Sequence, residues 1–257
     1  MLILLPPSEG KAVPRRGRPL DLTGLSFGEL TGARERVLEA LVSLTERDDA
    51  AAVLGLGATQ ADLVGLDARL RTSPTVRAER LYTGVLYDAL GLTTLTPAAR
   101  RRAASRVAVV SSLFGLVRPG DRLPSYRLSG DVGLPGLGPV AGVWREALQP
   151  AVLDALGAGL LVDLRSTTYA AFWRPPADLA PRVATVRVLH VVDGRRQVVS
   201  HSNKATKGRL VRALLEDGRA PRNPAGLADL LRGLGWKVEQ DSPTRAGTRL
   251  DVVVDAV

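Results

Sequence analysis

Cysteine is absent from this chain of 257 residues, and histidine occurs only twice, as His190 and His201. The lack of cysteine excludes disulfides, thiolate nucleophiles, iron–sulfur clusters and zinc–thiolate sites. With two histidines and no dense cluster of Asp and Glu, we expect neither a metal site nor a cofactor. No apolar run reaches the roughly 18 residues of a membrane span. We therefore expect no membrane association and a cytoplasmic location.

Lysine is also scarce, whereas arginine is abundant. Only four of the 35 basic residues are lysines, and with 26 acidic residues the net charge is +9. A basic surface favours phosphate-bearing partners such as nucleic acids. The alternative is a basic protein that binds no nucleic acid, and charge alone does not separate the two.

Hydrophobic patterning predicts a mixture of strands and helices without strict alternation, which is typical of an α+β or mixed α/β fold. The predicted strands are Leu2–Leu5, 106–111, 160–164, Val183–Val192, 197–201, Lys237–Gln240 and 249–254, with a hairpin turn at Asp193-Gly194. The predicted helices are 33–44, 50–54, 59–66, 82–90, 97–105, 142–156 with a kink or break at Pro150, 203–216 and 224–234. We expect a single domain over residues 1–257, with a central mixed sheet, a helical insertion at about 33–105 and a basic cleft.

The segment 51–66 resembles a helix-hairpin-helix, because Gly55-Leu56-Gly57 separates two short predicted helices. Glycines at Gly55 and Gly57 permit a tight turn with exposed backbone N–H groups. These groups and the start of the second helix bind phosphate without reading base sequence. The alternative is an ordinary connection between two helices.

Residues 112–139 form a long predicted loop that is rich in glycine and proline, and loops of this length in compact domains are usually functional. Planar guanidinium groups beside an aromatic ring suit the recognition of phosphates or nucleobases. The alternative is that Arg118 and Asp121 tie the loop together as an ion pair while Tyr126 packs. The polar candidates in this loop are Arg118, Asp121, Arg122, Tyr126 and Arg127.

A third candidate is the start of the predicted helix 203–216, which carries Lys204, Lys207 and Arg209. Cations near a helix N-terminus oppose the helix dipole, and a bound anion would relieve this repulsion. The alternative is a solvated basic helix.

Five blocks of sequence together resemble the YaaA family of peroxide stress resistance proteins. They are L-I-L-L-P-P-S-E-G-K at 2–11, Y-T-G at 82–84, the loop 112–128 with its F-G-L-V-R-P-G-D core, 162–173, and S-N-K-A-T-K-G-R at 202–209. The resemblance implies one mixed α/β fold with a positively charged cleft and a helix-hairpin-helix. It also implies binding to double-stranded DNA, and a role in limiting DNA damage and free iron under hydrogen peroxide.

Two functional hypotheses follow. The first is a monomeric, sequence-independent binder of duplex DNA and phosphate-bearing ligands that protects against oxidative stress. Its anion-binding candidates are Lys11, Gly55, Gly57, Arg118, Arg122, Arg127, Lys204, Lys207 and Arg209. The second is an enzyme acting on a small anionic or nucleobase-like substrate, with Ser8, Lys11, Asp121, Tyr126 and Asp163 as catalytic candidates.

The three most apolar predicted strands each end at a polar segment, at Ser8, Ser112 and Arg165. Parallel strands would bring these segments to one edge of the sheet, where open α/β sheets bind ligands. We therefore predict that one cleft gathers Arg118, Tyr126, Arg127, Lys204 and Lys207 with Lys11 or Ser8.

Overall fold

The computed structural model describes residues 1–192, 195–197 and 200–255. An eight-stranded mixed sheet runs through the centre of the molecule. Four further short strands form two separate pairs, β2 with β5 and β6 with β7. The strands of the described residues are β1 (Leu2–Leu5), β2 (Val76–Arg77), β3 (Val107–Ser111), β4 (Gly115–Val117), β5 (Arg122–Leu123), β6 (Gly133–Leu134), β7 (Gly138–Pro139), β8 (Leu161–Asp163), β9 (Val183–Val192), β10 (Arg195–Gln197), β11 (Lys237–Gln240) and β12 (Thr248–Asp255).

Helices cover the sheet, and many of them lie between β1 and β3. They are α1 (Thr31–Leu44), α2 (Ala50–Val53), α3 (Val64–Asp67), α4 (Ala78–Leu81), α5 (Val85–Leu90), α6 (Pro97–Arg106), α7 (Val140–Leu156), α8 (Thr167–Ala170), α9 (Ser200–Asp217) and α10 (Pro224–Gly233). Short 3₁₀ turns occupy Gly28–Leu30, Ala58–Leu63, Leu92–Thr94 and Ala177–Arg182.

The sheet order is β11-β12-β9-β8-β1-β3-β4, and β10 pairs with β9. The five strands from β12 to β3 are parallel, whereas β11 and β4 pair antiparallel at the two ends of this order. Every residue of β1 and β3 is buried. Strands buried on both faces need continuous apolar runs, which explains L-I-L-L and V-A-V-V at these positions.

The predicted class is confirmed, with differences in individual elements. The predicted loop 112–139 contains the short strands β4 to β7. β4 folds back onto β3, β5 pairs with β2, and β6 pairs with β7. Pro150 does not end the predicted helix, because α7 runs from Val140 to Leu156. The two residues after the proline, Ala151 and Val152, are buried in the core. The predicted strand 197–201 is wrong at its last two positions, since α9 begins at Ser200, and its residues 198 and 199 lie outside the described residues. The predicted turn at Asp193-Gly194 lies outside the described residues.

The predicted helix 82–90 is also wrong at its start. Tyr82 is extended and Gly84 has φ of 99°, so α4 and α5 are separate helices. The cause is long-range, because Tyr82 pairs with Lys11 in an antiparallel bridge. This break in helical structure places residues 82–84 beside the loop that follows β1.

Helix α9 packs closely against α5 at Gly208. A Cβ added there would collide with the carbonyl oxygen of Leu86 and lie 2.9 Å from the backbone nitrogen of Leu90. Because both groups are backbone, they cannot rotate away as a flexible side chain would. The glycine therefore sets the distance between the two helices.

We predict that Gly208→Ala lowers the free energy of unfolding by about 1–3 kcal/mol, because an overpacked interface must shift. Gly142→Ala in α7 is the matched control, since its Cβ would meet no heavy atom of the described chain within 4 Å. That substitution should stabilise the protein by up to about 1 kcal/mol, through helix propensity. Denaturant unfolding measures both values, and equal effects would contradict the packing argument.

Candidate active site

The carboxyl ends of three neighbouring parallel strands define the candidate site. β1 lies between β3 and β8, with Leu5 opposite Val109 and Leu4 opposite Asp163. The prediction that these strands are parallel and share one edge is confirmed. The polar segments that follow them therefore start close together, at the edge where open α/β sheets place their ligands.

The loop after β1 is held against residues 81–83 by backbone hydrogen bonds. Ala12 N–H donates to the Leu81 carbonyl at 2.8 Å, and Thr83 N–H donates to the Gly10 carbonyl at 3.1 Å. Together with the bridge between Lys11 and Tyr82, these bonds fix the backbone on both sides of Lys11. A lysine in a loop is thus given a defined position.

The Lys11 ammonium lies over an aromatic ring in a largely buried site. Its Nζ donates to the Ser8 carbonyl at 2.7 Å and lies 4.3 Å from the centroid of the Tyr126 ring. Burial lowers the pKa of Lys11 to about 8. Among nearby charges, Glu9 and Asp67 raise that pKa while Arg127 lowers it.

Asp67 is the functional candidate that sequence reasoning missed. It ends α3 and is fully buried, and its Oδ1 accepts a hydrogen bond from the Arg127 backbone N–H at 2.8 Å. Burial raises the pKa of this carboxyl to about 7, against the opposing effects of the Arg127 hydrogen bond and the Lys11 charge. A single Asp in an apolar helical pattern gives no signal in sequence, because its place in the site depends on a hydrogen bond to a loop 60 residues away.

The Tyr126 hydroxyl belongs to a buried network at the end of β3. It lies 2.8 Å from Ser111 Oγ and 3.1 Å from the Tyr82 hydroxyl. Burial raises the pKa of Tyr126 well above its ordinary value, so the group is a neutral phenol at physiological pH. Its ring face supports Lys11, which fits the predicted membership of Tyr126 in the site.

A pocket of about 350 Å³ lies against the loop that follows β1, and residues 6–10 form part of its lining. Its polar lining comes from separate segments of the chain, so it forms only in the folded protein. Arg127 reaches this loop as well, with Nη1 2.5 Å from Glu9 Oε2. The polar lining residues are Ser8, Glu9, Tyr87, Ser166, Tyr169 and Lys204.

Asp163 and Lys207 lie at the end of β8. Asp163 forms a two-point ion pair with Arg165, at 2.9 and 2.7 Å. Lys207 Nζ donates to the Leu164 carbonyl at 3.0 Å, and burial lowers the pKa of Lys207 although Asp163 opposes the shift. Both side chains hold the backbone after β8 in place.

The prediction that Arg118 belongs to the cleft is wrong. Its guanidinium donates to the carbonyl of Val107 at 3.0 Å, and Val107 begins β3 at the end opposite Ser111. Asp121 is likewise structural, because it accepts hydrogen bonds from the Arg118 N–H and from the Ser26 hydroxyl. These residues tie the loop together, as the alternative interpretation of this segment held. The contact is a hydrogen bond from the Arg118 backbone N–H to Asp121, and the expected ion pair between the two side chains, both of which the structure describes, is not formed.

The remaining anion-binding candidates, Arg122, Arg209, Gly55 and Gly57, make none of the contacts described above at this edge of the sheet. The Arg122 guanidinium donates to the Thr75 carbonyl at 2.9 Å, and Arg209 is exposed on α9. Gly55 has φ of 64° whereas Gly57 is extended. The helical pieces around the two glycines are one turn of α-helix and a 3₁₀ turn, so a helix-hairpin-helix stays a prediction here.

Metal-binding and membrane-spanning features are both missing from the described part of the chain. There, no group of three or more His, Asp or Glu side chains could hold a metal ion. No helix within the same ranges combines the length and apolar character needed to cross a membrane.

Asp67 should make stability depend on pH with a defined sign. Its folded pKa is raised, so its stabilising contribution is complete below its ordinary pKa of 3.8 and is lost as the pH rises through about 7. Asp67→Asn retains an acceptor for the Arg127 N–H and should remove this decline. Denaturant unfolding at several pH values measures the effect, with exposed Asp62→Asn as control. Parallel pH profiles for wild type and Asp67→Asn would contradict it.

Comparison with known sequences agrees with this architecture. Residues 1–242 match the family described as Peroxide stress protein YaaA. The UPF0246 protein SCO2297 of Streptomyces coelicolor is 51% identical over 100% of both chains. The UPF0246 protein CE1889 of Corynebacterium efficiens is 44% identical over 93% of this chain and 95% of the relative. An uncharacterized protein of Campylobacter jejuni, Cj0984, is 26% identical over 92% and 93% of the two chains. The chain belongs to the YaaA family of peroxide stress proteins.

Proposed function

We propose that this protein is a cytoplasmic, sequence-independent DNA-binding protein that limits DNA damage and free iron during peroxide stress. Family membership supports the stress role. The observation that carries DNA binding is an arginine patch, defined as Arg15, Arg16, Arg18, Arg77 and Arg122, all of them exposed.

Thr75 joins the parts of the arginine patch. The Thr75 N–H donates to the Arg18 carbonyl at 3.0 Å, and the Arg122 guanidinium donates to the Thr75 carbonyl at 2.9 Å. Arg15 and Arg16 immediately precede this contact in the chain. Segments that are distant in sequence thus bring their arginines to one area of the surface.

Arg77 and Arg122 lie directly opposite each other across the β2–β5 ladder. Like charges in that position destabilise a strand pair. Glu79 compensates in part, with a carboxylate oxygen 3.7 Å from the Arg77 guanidinium. A phosphate backbone would supply the remaining negative charge, and such contacts fix position on DNA without reading its sequence.

Charge reversal in the arginine patch tests the proposal. Arg18→Glu/Arg77→Glu should weaken binding to any duplex and reduce the slope of log K against log salt by about 1 for each phosphate that is no longer neutralised. Arg222→Glu/Arg245→Glu changes the net charge equally at exposed positions elsewhere and should have a small effect. Fluorescence anisotropy over a salt series gives both slopes. Equal weakening in the two variants, or no binding by wild type at low salt, would contradict the proposal.

A second candidate is an enzyme or binding protein for a small nucleobase-like anion, and the pocket beside Ser8 favours it. A volume of about 350 Å³ falls within the range of small-ligand sites. Glu9, Tyr169 and Lys204, which carry a carboxylate, a hydroxyl and an amine, all line it. This mixture of donors and acceptors matches the edge of a heterocycle and a phosphate.

Calorimetric titration with adenosine monophosphate tests this candidate. Lys204→Met should lower the affinity by at least about tenfold, because it removes a charge-assisted hydrogen bond of roughly 1.5–3 kcal/mol. Lys237→Met, at an exposed position on β11, is the matched control and should bind as wild type does. Absence of binding by wild type, or equal affinity in Lys204→Met, would exclude an adenosine-phosphate ligand for the pocket.

A further inference from the structure

Lys11 has surroundings unlike those of an ordinary surface lysine. Backbone pairing on both sides fixes its main chain, the Ser8 carbonyl accepts from its Nζ, and the Tyr126 ring lies beneath it. A lysine used for solubility or for phosphate binding keeps its ammonium in water. Here the amine is half-buried, and its Nζ is held at the Ser8 carbonyl and over the Tyr126 ring.

The groups that act on this amine come from four parts of the chain. Glu9 belongs to the same loop, Asp67 ends α3, and Arg127 follows Tyr126 in the long loop after β3. Tyr82 faces the amine from the opposite segment, with its ring centroid 6.0 Å from Nζ. The set holds two carboxyls and two basic groups, so a proton can pass from one member to another without changing the net charge of the set.

Two buried polar atoms of this centre have no hydrogen-bond partner among the described residues: Oδ2 of Asp67 and Nε of Arg127. Leaving such atoms unpaired in a buried position is energetically costly. A carbonyl compound at Nζ offers an acceptor to the N–H of Arg127. Its addition product carries a hydroxyl, which can pair with a carboxyl oxygen of Asp67.

We propose that Lys11 is a reactive amine that forms an imine with a small aldehyde, and that Asp67 supplies the proton for the loss of water. The inference stands on the fixed position of Nζ at the Ser8 carbonyl and over the Tyr126 ring. It also stands on the unpaired Oδ2 of Asp67 and Nε of Arg127, two residues that a hydrogen bond joins in the same polar centre. It is independent of DNA binding and of the occupant of the neighbouring pocket.

The step begins with Lys11 as the neutral amine and Asp67 as the neutral acid. The nitrogen lone pair forms a bond to the carbonyl carbon, and a proton passes from nitrogen to oxygen to give a carbinolamine. The C–O bond then breaks as Asp67 protonates the departing hydroxyl, which leaves as water. The remaining nitrogen lone pair forms the C=N bond, so an iminium ion lies beside the Asp67 carboxylate. No oxidant or reductant is required.

Protonation states near neutral pH fit this sequence of events. Burial lowers the pKa of Lys11 to about 8 and raises that of Asp67 to about 7, so a neutral amine and a neutral acid are both accessible. Buried amines of this kind are the usual imine-forming lysines of proteins. Lys207 is also withdrawn from water, but its nearest carboxylate, Asp163, is held in the ion pair with Arg165.

Reductive trapping in the wild-type protein tests the inference with internal controls. The protein is incubated with glycolaldehyde and sodium cyanoborohydride, and the hydroxyethyl adduct on each of the four lysines is quantified by peptide mapping. At about pH 7 the adduct at Lys11 should form at least about tenfold faster than at exposed Lys237, because the neutral amine is more abundant. The trapping rate at Lys207 shows whether partial burial of a lysine is by itself sufficient for fast adduct formation.

The pH profile and one variant separate a reactive amine from a merely buried one. Trapping at Lys11 should rise with pH through a midpoint near 8. Asp67→Asn should lower that midpoint, since a carboxylate that raises the pKa is removed, and should still slow trapping by at least about tenfold. Trapping at Lys11 no faster than at Lys237, or unchanged trapping in Asp67→Asn, would overturn the proposal.

Discussion

The structure depends on the position of β1 between β3 and β8, with all three strands parallel. Because the register of a buried parallel strand is fixed by its apolar residues, the ends of these strands are fixed too. Ser111, Asp163 and the loop beginning at Pro6 therefore meet at one edge. Other features of the site, from the Lys11 bridge to the pocket beside Ser8, are built on that edge.

Charge burial is the second constraint. The chain has an excess of cations, yet two arginines nearest the sheet edge are paired with carboxylates: Arg165 with Asp163, and Arg127 with Glu9. Lys11 and Asp67 are the pair that burial drives toward neutrality instead of toward a salt bridge. Groups with perturbed pKa values concentrate at functional sites. Lys11 is therefore a candidate functional residue and not only one of the charges on a basic protein.

Sequence patterning predicts the elements whose apolar residues decide their structure. β1 and β11 agree residue for residue with the predicted ranges, and the convergence of the β1, β3 and β8 ends follows from their apolar composition. Local sequence pattern predicts the wrong secondary structure where a contact with a distant part of the chain determines the backbone conformation. Tyr82 leaves a helical pattern to pair with Lys11, and Ser200 begins α9 where a hairpin strand is predicted.

The site itself is predicted only in part, and for the same reason. Lys11, Tyr126 and Arg127 belong to polar clusters that are visible in sequence, whereas Asp67 acquires its role from a fold contact with Arg127. Arg118 carries the same charge as Arg127 but reaches the opposite end of β3. Charge and spacing therefore identify a polar loop, and only the backbone path decides which of its arginines face the site.

The central claim is that the fold partly withdraws the Lys11 amine from water, in the polar centre that also holds Asp67. With only four lysines in the chain, ¹⁵N labelling of lysine gives a spectrum that single Lys→Arg variants can assign. A pH titration of the Lys11 Nζ resonance measures its pKa directly. The account predicts a midpoint near 8 for Lys11. A midpoint near 10.5, the ordinary value for a lysine exposed to water, would contradict it.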